Sequence, residues 1–366
     1  MTSATLSWYS PMSNLIYLCT LCLVSLVSSC SCSGTMLKPE VEKDPRWLVY
    51  DGQSGSPDQK TVVFVAGDEE YRSEEALPML ARLLSKHHGF ECVVLFSQNP
   101  ETGEIDPNES NHIPGMHLIA DADLLVLDLR FRELPDTDMA HVMAHMESGK
   151  PLIGIRTTTH AFNYKKQKDS VHAKWTWTSK DPKDGFGGEF LGETWVAHHG
   201  HHGQEATRGV VNADAADHPV LKGVLDVFGT TDVYAIRSLP EDSTVLLNGA
   251  VLDGMTPESQ PVEGAKNSPM HPVAWTRERE WKPGRSQRIL ATTMGAATDW
   301  SSEDLRRLFF NGVFWTLGMQ DQIPEGGLKA TMFGPWNPTP FGFNAFRKGM
   351  LPSDYRDGIP PIQESK

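Results

Sequence analysis

The stretch Thr61-Val-Val-Phe-Val-Ala-Gly-Asp68 decides the fold class of this chain. It is a continuous apolar run that ends in Gly-Asp, which is typical of a parallel strand buried on both faces and opening into a loop. Residues 74–87 then carry leucines at helical spacing, and Gly89 ends the predicted helix. Residues 90–96 form the next apolar run, so the pattern begins as strand, helix, strand.

The same alternation continues along the chain. Residues 124–129 and 151–155 predict two more strands, and residues 136–148 predict a helix between them. Strands that alternate with helices indicate right-handed βαβ crossovers and an α/β, doubly wound, mostly parallel sheet. Functional residues of such sheets follow the C-terminal ends of the strands. Three loops meet this rule: residues 67–72, 128–132 and 156–160.

The second half of the chain has weaker patterns. Residues 272–275 and 288–293 predict short strands, and residues 303–317 predict an amphipathic helix. Residues 320–366 hold seven prolines with little periodicity, which predicts an extended tail along the surface. We therefore expect one domain over residues 61–319, with loop insertions in its middle and a proline-rich tail after it.

Charge and cysteine content argue against nucleic-acid binding and against catalysis by a cysteine nucleophile. The 366 residues include 33 basic and 47 acidic side chains, for a net charge of −14 at pH 7. Phosphate binding draws on clustered Lys and Arg, and no basic stripe occurs, so we expect no nucleic-acid partner. Four of the five cysteines precede residue 33, which leaves Cys92 in the body of the chain. An intramolecular disulfide there is excluded, and a cysteine nucleophile is not indicated.

The first 37 residues contain no Asp, Glu, Lys or Arg. Residues 15–27 form an apolar run of 13 residues, too short to span a bilayer and suited to a secretory signal. The segment up to Cys30 resembles a bacterial lipobox, whose Cys is lipidated. We expect a signal peptide over residues 1–30 and a tether over residues 31–60, with export to the periplasm or the exterior and membrane contact only through a lipid on Cys30. A plain cleaved signal, or a true start at Met12, remains the alternative.

The junction after the fourth predicted strand reads Arg156-Thr-Thr-Thr-His160. In α/β hydrolases and amidotransferases the nucleophile stands here. A guanidinium is always charged and cannot attack a carbonyl, so covalent catalysis from Arg156 is excluded. Arg156 is a candidate clamp for an anionic or hydroxyl-rich ligand, and His160 is a candidate acid/base group or metal ligand. The alternative is that Arg156 pairs with a buried carboxylate and His160 caps a helix.

Four of the fourteen histidines lie in His198-His-Gly-His-His202. Imidazole is a common metal ligand, and catalytic zinc takes three protein ligands and a water. Adjacent histidines point in different directions, so at most two or three of these could share one ion. Further ligands would come from His160, Asp232 or Glu189. A surface histidine loop without a metal is the alternative.

Charged side chains also follow the first and third predicted strands. Asp68, Glu69 and Glu70 stand with Arg72, and Asp128 stands with Arg130 and Arg132. Paired carboxylates can act as acid and base on a glycoside, and mutual salt bridging is the alternative. Aromatic residues of the loop-rich middle, such as Trp195, offer flat faces for a sugar or pack in the core.

Several motifs together give the chain a family resemblance. They occupy residues 65–78, 149–156, 160–162, 191–203, 217–219, 231–234, 272–276, 292–296 and 338–343. Taken together they resemble a ThuA-like protein of the trehalose-utilisation family, in particular its secreted planctomycete-type members. The resemblance covers about residues 61–354.

The resemblance implies a flavodoxin-like sheet similar to that of class I glutamine amidotransferases, with Arg156 at the elbow where those enzymes carry cysteine. It also implies a role in carbohydrate catabolism, with processing of 3-keto-disaccharides among the proposals for the family. Many relatives have His where this chain has Arg156, and often Gly-His where it has Gly295-Ala296.

These observations combine into one functional hypothesis and one rival. We expect a protein that acts on keto-sugars or glycosides as a hydrolase, lyase or isomerase, not as a glutamine amidotransferase, by metal- or histidine-assisted acid/base chemistry. The rival is a non-catalytic carbohydrate-binding or scaffolding domain on the same fold. The expected catalytic residues are His160, His201 and Asp232. The expected substrate contacts are Arg156, Asp68, Glu69, Arg72, Trp195 and Tyr234. The expected ligands of a divalent metal such as zinc are His198, His199 and His202.

Overall fold

The structure is a computed structural model that describes residues 40–53 and 59–360. The predicted signal peptide, the lipidation of Cys30 and the first part of the predicted tether lie outside the described residues, so export stays a prediction. Within the described ranges, no helix is both long enough and apolar enough to cross a bilayer.

A ten-stranded sheet organises the described part of the chain. Its strands are β1 (Leu48–Tyr50), β2 (Thr61–Gly67), β3 (Glu91–Phe96), β4 (Leu124–Leu129), β5 (Leu152–Ile155), β6 (Thr207–Val211), β7 (Val227–Gly229), β8 (Ser243–Val251), β9 (His271–Lys282) and β10 (Arg285–Thr292). The α-helices are α1 (Ser73–His88), α2 (Asp136–Glu147) and α3 (Glu303–Thr316). Across the sheet the strands follow the order β1-β3-β2-β4-β5-β10-β9-β8-β6-β7.

Five neighbouring strands form the parallel centre of the sheet. They are β3, β2, β4, β5 and β10, and each pairs in parallel with the next. Numbered along the chain, their order is 2-1-3-4-5, which is the flavodoxin-like order. Every residue of β2 is buried, as its continuous apolar run requires. The expected α/β doubly wound fold is therefore confirmed.

Alternate side chains of β2 enter two different cores. Val62 and Phe64 pack on one face of the sheet, in the core that contains the apolar residues of α1 and α3. Val63 and Val65 pack on the other face, with the apolar residues of α2. This layering buries both faces, so the open ends of the parallel strands are the natural place for a site.

The antiparallel half of the sheet was mostly missed by the sequence patterns. Only four residues of β9 were expected, but the strand has 12. The second half of β9, residues 277–282, is mostly charged, so it lacks the apolar pattern from which a strand is predicted. β8 contains the dipeptide Asn248-Gly249 inside the strand, and this dipeptide is ordinarily a turn signal. β6 and β7 likewise had no predicted counterpart.

The segment just before the expected domain also joins the sheet. β1 pairs antiparallel with β3, and Trp47, Leu48, Val49 and Tyr50 are buried. A tether was expected over residues 31–60, so this expectation does not hold for β1. Three residues at the edge of a sheet are too few to show a periodic pattern.

The tail follows the surface without any α-helix or β-strand over residues 320–360. The Gly342 amide donates to the Glu70 carbonyl oxygen at 2.7 Å, and the Thr339 amide donates to Glu75 Oε2 at 2.7 Å. The tail thus reaches the loop after β2, at the C-terminal ends of the strands.

Candidate functional site

Four segments meet at the C-terminal ends of β2, β4 and β5. They are the loop after β2, the loop after β4, the short helical segment Arg156–His160 after β5, and the histidine loop at residues 198–202. Asp232 joins them from the chain between β7 and β8, and we call this region the strand-end site.

Arg156 lies at the base of the strand-end site and is fully buried. Its backbone is left-handed, with φ 39°. The guanidinium lies between two tyrosine rings, 4.2 Å from the centroid of Tyr71 and 4.1 Å from that of Tyr234. It donates to Asp232 Oδ1 at 3.1 Å and to the Thr293 carbonyl oxygen. The alternative of pairing with a buried carboxylate is the one observed, and this burial leaves no exposed guanidinium to clamp a substrate.

Asp232 connects the base of the site to two histidines. His198 Nδ1 donates to its Oδ2 at 2.6 Å, and His202 Nδ1 donates to its Oδ1 at 3.1 Å. Burial alone would raise the pKa of Asp232, but these two hydrogen bonds and the charge of Arg156 hold it well below its ordinary value. Asp232 is therefore a carboxylate that only accepts hydrogen bonds.

His202 bridges two carboxylates. Besides its bond to Asp232, its Nε2 lies 3.3 Å from Glu70 Oε1. Hydrogen bonds to Asp232 and Glu70 raise the pKa of His202 to about 9. The pKa of Glu70 is lowered, since the hydrogen bond from His202 and the charge of Arg130 outweigh burial. At neutral pH His202 is a fixed imidazolium.

His198 is oriented as a base. Because Asp232 accepts from Nδ1, the proton of a neutral His198 resides there, and the lone pair is on Nε2. That Nε2 makes no hydrogen bond to any of the described residues, and the side chain is 35% exposed. The ring is flanked by Trp195 at 5.7 Å and Tyr234 at 5.4 Å between centroids.

The other two histidines of the loop point elsewhere. His199 Nε2 lies 2.7 Å from the Lys266 carbonyl oxygen, and its ring packs on His271. The His201 side chain is 69% exposed and faces Glu205. The structure therefore separates His199 from the expected metal ligands and His201 from Asp232, because adjacent residues of an irregular loop face different sides.

A metal ion has one candidate group of ligands in the described residues: His198, His202 and Asp232 have ligand atoms within 4.8 Å of one another. Each nitrogen of His202 faces a carboxylate, Nδ1 that of Asp232 and Nε2 that of Glu70, so a metal would have to displace a proton that one of these carboxylates holds on the ring. Arg156 adds a positive charge beside the same Asp232 oxygen. The arrangement fits a hydrogen-bonded network better than a zinc site. Glu189 pairs with Arg279 and contributes nothing here.

His160 lies in an aromatic cluster next to His198. Its ring centroid is 4.9 Å from Phe131, 5.7 Å from Trp195 and 6.3 Å from Tyr234. Burial, reinforced by the charges of Arg130 and Arg156, lowers the pKa of His160 well below its ordinary value. His160 is therefore neutral and serves as one wall of the site, and Trp177 completes the cluster.

The carboxylates after β2 mostly serve structure. Asp68 is fully buried, and its Oδ1 accepts hydrogen bonds from the backbone amides of Glu70 and Tyr71 at 2.6 and 2.7 Å. Glu69 pairs with Arg130 and with Arg132, as the salt-bridging alternative proposed. Arg72 is fully buried and donates to the Gly342 carbonyl oxygen of the tail.

Three further residues belong to the site and were not among the final catalytic, substrate and metal residues expected from the sequence. Glu70 was named only as one of the candidate paired carboxylates after the first strand. Tyr71 follows it and stacks on Arg156. Phe341 comes from the tail and lies 5.2 Å from the His202 ring. Phe341 lies far from His202 in the sequence, so no local pattern predicts this contact.

Comparisons with known proteins agree with the resemblance. A family profile described as "ThuA: Trehalose utilisation" matches residues 61–316. No curated protein matches the chain.

Solved structures with a similar fold include two ThuA-like proteins. The one from Bacteroides uniformis is 14% identical, with 76% of this chain and 94% of that chain covered and a TM-score of 0.42. The one from Parabacteroides merdae is 13% identical, with 75% and 96% covered and a TM-score of 0.45. A glutamine amidotransferase from Thermotoga maritima is 9% identical, with 71% and 98% covered and a TM-score of 0.33.

Proposed function

The chain belongs to the ThuA family, and we propose that the strand-end site processes a keto-sugar by proton transfer at His198. Membership of a trehalose-utilisation family supports a carbohydrate-related role in general. The keto-sugar and the type of reaction are the proposal.

The pairing of His198 with Asp232 is the observation that carries the proposal. A buried carboxylate that accepts from Nδ1 fixes the tautomer and stabilises the imidazolium that forms when Nε2 takes a proton. The guanidinium of Arg156, whose Nη2 lies 3.1 Å from Asp232 Oδ1, helps to keep that carboxylate ionised. Arg156 is therefore a positioning residue, which acts through Asp232.

The aromatic cluster supports a sugar as substrate. The ring centroids of Trp195 and Trp177 are 5.9 Å apart, and both side chains are partly exposed. Trp195 also packs beside the His198 ring. Aromatic faces with polar groups at their edges suit the C–H faces and hydroxyls of a sugar ring.

In the proposed step, a proton leaves the carbon next to the sugar carbonyl and joins Nε2 of His198, while the electron pair of the broken C–H bond moves towards the carbonyl oxygen. The fixed positive charge of His202, whose ring centroid lies 4.8 Å from that of His198, stabilises the negative charge that develops. Return of the proton to the former carbonyl carbon, while the hydroxyl proton of the first carbon moves to the former carbonyl oxygen, would give an isomerase. Departure of a substituent from the next carbon with its bonding pair, which takes the proton from His198, would give a lyase.

The test follows exchange of the acidic carbon-bound proton. Purified protein is mixed with 3-keto-trehalose in D2O, and the signals of the protons next to the carbonyl are followed by NMR. We expect enzyme-dependent exchange that slows by about 100-fold or more in His198→Gln, the usual contribution of a general base. EDTA should leave the rate unchanged.

The matched control is His201→Gln, which makes the same change at a side chain that is 69% exposed. It should exchange at the wild-type rate. Loss of the rate with EDTA would contradict the metal-free proposal. Equal sugar binding by wild type and His198→Gln, without exchange in either, would establish the rival carbohydrate-binding domain.

A further inference from the structure

Beside the strand-end site, an arginine contacts two phenylalanine rings from distant parts of the chain. The guanidinium carbon of Arg130 is 4.5 Å from the ring centroid of Phe131, in the loop after β4, and 5.0 Å from that of Phe343, in the tail. Phe343 is 54% exposed, and Phe131 is partly exposed. We call these three side chains the phenylalanine patch.

The phenylalanine patch is continuous with the strand-end site. The ring centroid of Phe131 lies 4.9 Å from that of His160 and 5.6 Å from that of Trp177. Phe343 follows two residues after Phe341, which packs against the histidines of the same site. A ligand of the strand-end site that is longer than one sugar ring can therefore contact the patch.

The backbone holds both rings of the patch in place. Phe131 has a left-handed backbone, with φ 51°, which is a genuine outlier for a bulky side chain. Its amide donates to the His160 carbonyl oxygen at 3.1 Å. In the tail, Gly342 donates its amide to the Glu70 carbonyl oxygen and accepts from Arg72. Strained residues of this kind cluster at ligand sites, and rings on a fixed backbone bind without an ordering cost.

The charged groups next to the patch are already paired. Glu69 pairs with Arg130 and with Arg132, and Glu70 faces Arg130 and His202. A second sugar ring would need polar partners for its hydroxyls, whereas an aromatic ring needs only other rings to pack on. The patch therefore fits an aromatic ring better than a second sugar.

We propose that the phenylalanine patch binds an aromatic aglycone, so that the substrate of the strand-end site is the keto form of an aryl glycoside. The inference rests on the proposed function for the sugar, which lies at His198. The aglycone packs against Phe131 and Phe343, and Arg130 holds these two rings in position.

The test is calorimetric titration of the full chain with phenyl glucoside, which lacks the ketone that the proposed reaction requires. Methyl glucoside, which has the same sugar without the ring, is the control ligand, and both are used as both anomers. For the anomer that binds more tightly, we expect saturable binding of phenyl glucoside, at least about 10-fold tighter than that of methyl glucoside. Phe343→Ala should reduce this preference to less than about 3-fold and leave the affinity for methyl glucoside unchanged.

Phe333→Ala is the matched control. Phe333 is another exposed phenylalanine of the tail, at 44%, and it packs on His87 of α1, so its removal should keep the wild-type preference. The proposal is overturned by equal affinity for phenyl and methyl glucosides, by no saturation below about 10 mM, or by a preference that persists in Phe343→Ala. A phenyl preference without proton exchange on the keto-sugar would refute the proposed reaction and support the aglycone site.

Discussion

At the scale of single residues, Asp232 links the side chains of the strand-end site by hydrogen bonds. Its two oxygens accept from His198, His202 and Arg156. The sequence singled out Asp232 and excluded a nucleophile at Arg156. It could not distinguish His198 from His201, because the direction of each side chain in a glycine-containing loop depends on backbone angles that residue type leaves open.

The titration of His202 is a direct prediction at this scale. Asp232 and Glu70 raise its pKa from 6.5 to about 9. Because the folded-state pKa is raised, His202 stabilises the fold fully below about pH 6.5, and this contribution is lost as the pH rises to about 9. NMR titration of the histidine ring signals should give a midpoint near 9, which falls in Glu70→Gln.

Glu205→Gln serves as the control for this titration. Glu205 faces His201 and Lys266, so its removal should leave the midpoint of His202 unchanged. In urea unfolding, wild type should lose stability between pH 6.5 and 9 more steeply than His202→Gln. A midpoint near 6.5 in wild type would show that the two carboxylates do not hold the charged ring.

At the scale of elements, the segment Arg156–His160 depends on a close neighbour. A helical turn at Gly187–Leu191 passes directly beside it. A Cβ built on Gly187 would lie 2.1 Å from the Thr159 carbonyl oxygen. The two backbones can come this close only because residue 187 has no side chain. The contact holds the backbone at Thr159, next to His160.

We expect Gly187→Ala to destabilise the fold by about 2 kcal/mol, because a backbone atom of a packed element must move. Urea unfolding measures the change. Gly326→Ala is the matched control, since its Cβ would meet nothing within 4 Å and its φ is not positive. The control should change stability by less than about 0.5 kcal/mol. Equal midpoints for the two variants would mean that the element has room to shift.

At the scale of the whole molecule, segments from both ends of the described chain complete the domain. β1 extends the sheet beside β3, and Tyr50 Oη donates to the Arg356 carbonyl oxygen of the tail at 3.1 Å. The tail in turn brings Phe341 to the strand-end site. The folded unit of the described chain therefore extends beyond the domain expected over residues 61–319.

A chain shortened to begin at Thr61 should be less stable than one that begins at Glu40. It loses four buried side chains, Trp47 to Tyr50, each of which contributes about 1.5–3 kcal/mol when fully buried. We expect a loss of at least about 4 kcal/mol in urea unfolding. Equal unfolding midpoints would restore residue 61 as the boundary of the domain.

The order of residues alone was enough to predict the parallel centre of the sheet and to exclude a nucleophile at Arg156, and it nominated Asp232 as one of several candidate site residues. These features depend on local apolar periodicity and on the chemistry of single residues, which the order of residues records directly. The packed fold is needed to show that His198 and His202 face Asp232 while His199 and His201 turn away. It likewise decided that β1 and Phe341 join the domain, because contacts between residues far apart in the chain form only when the packed sheet brings them together.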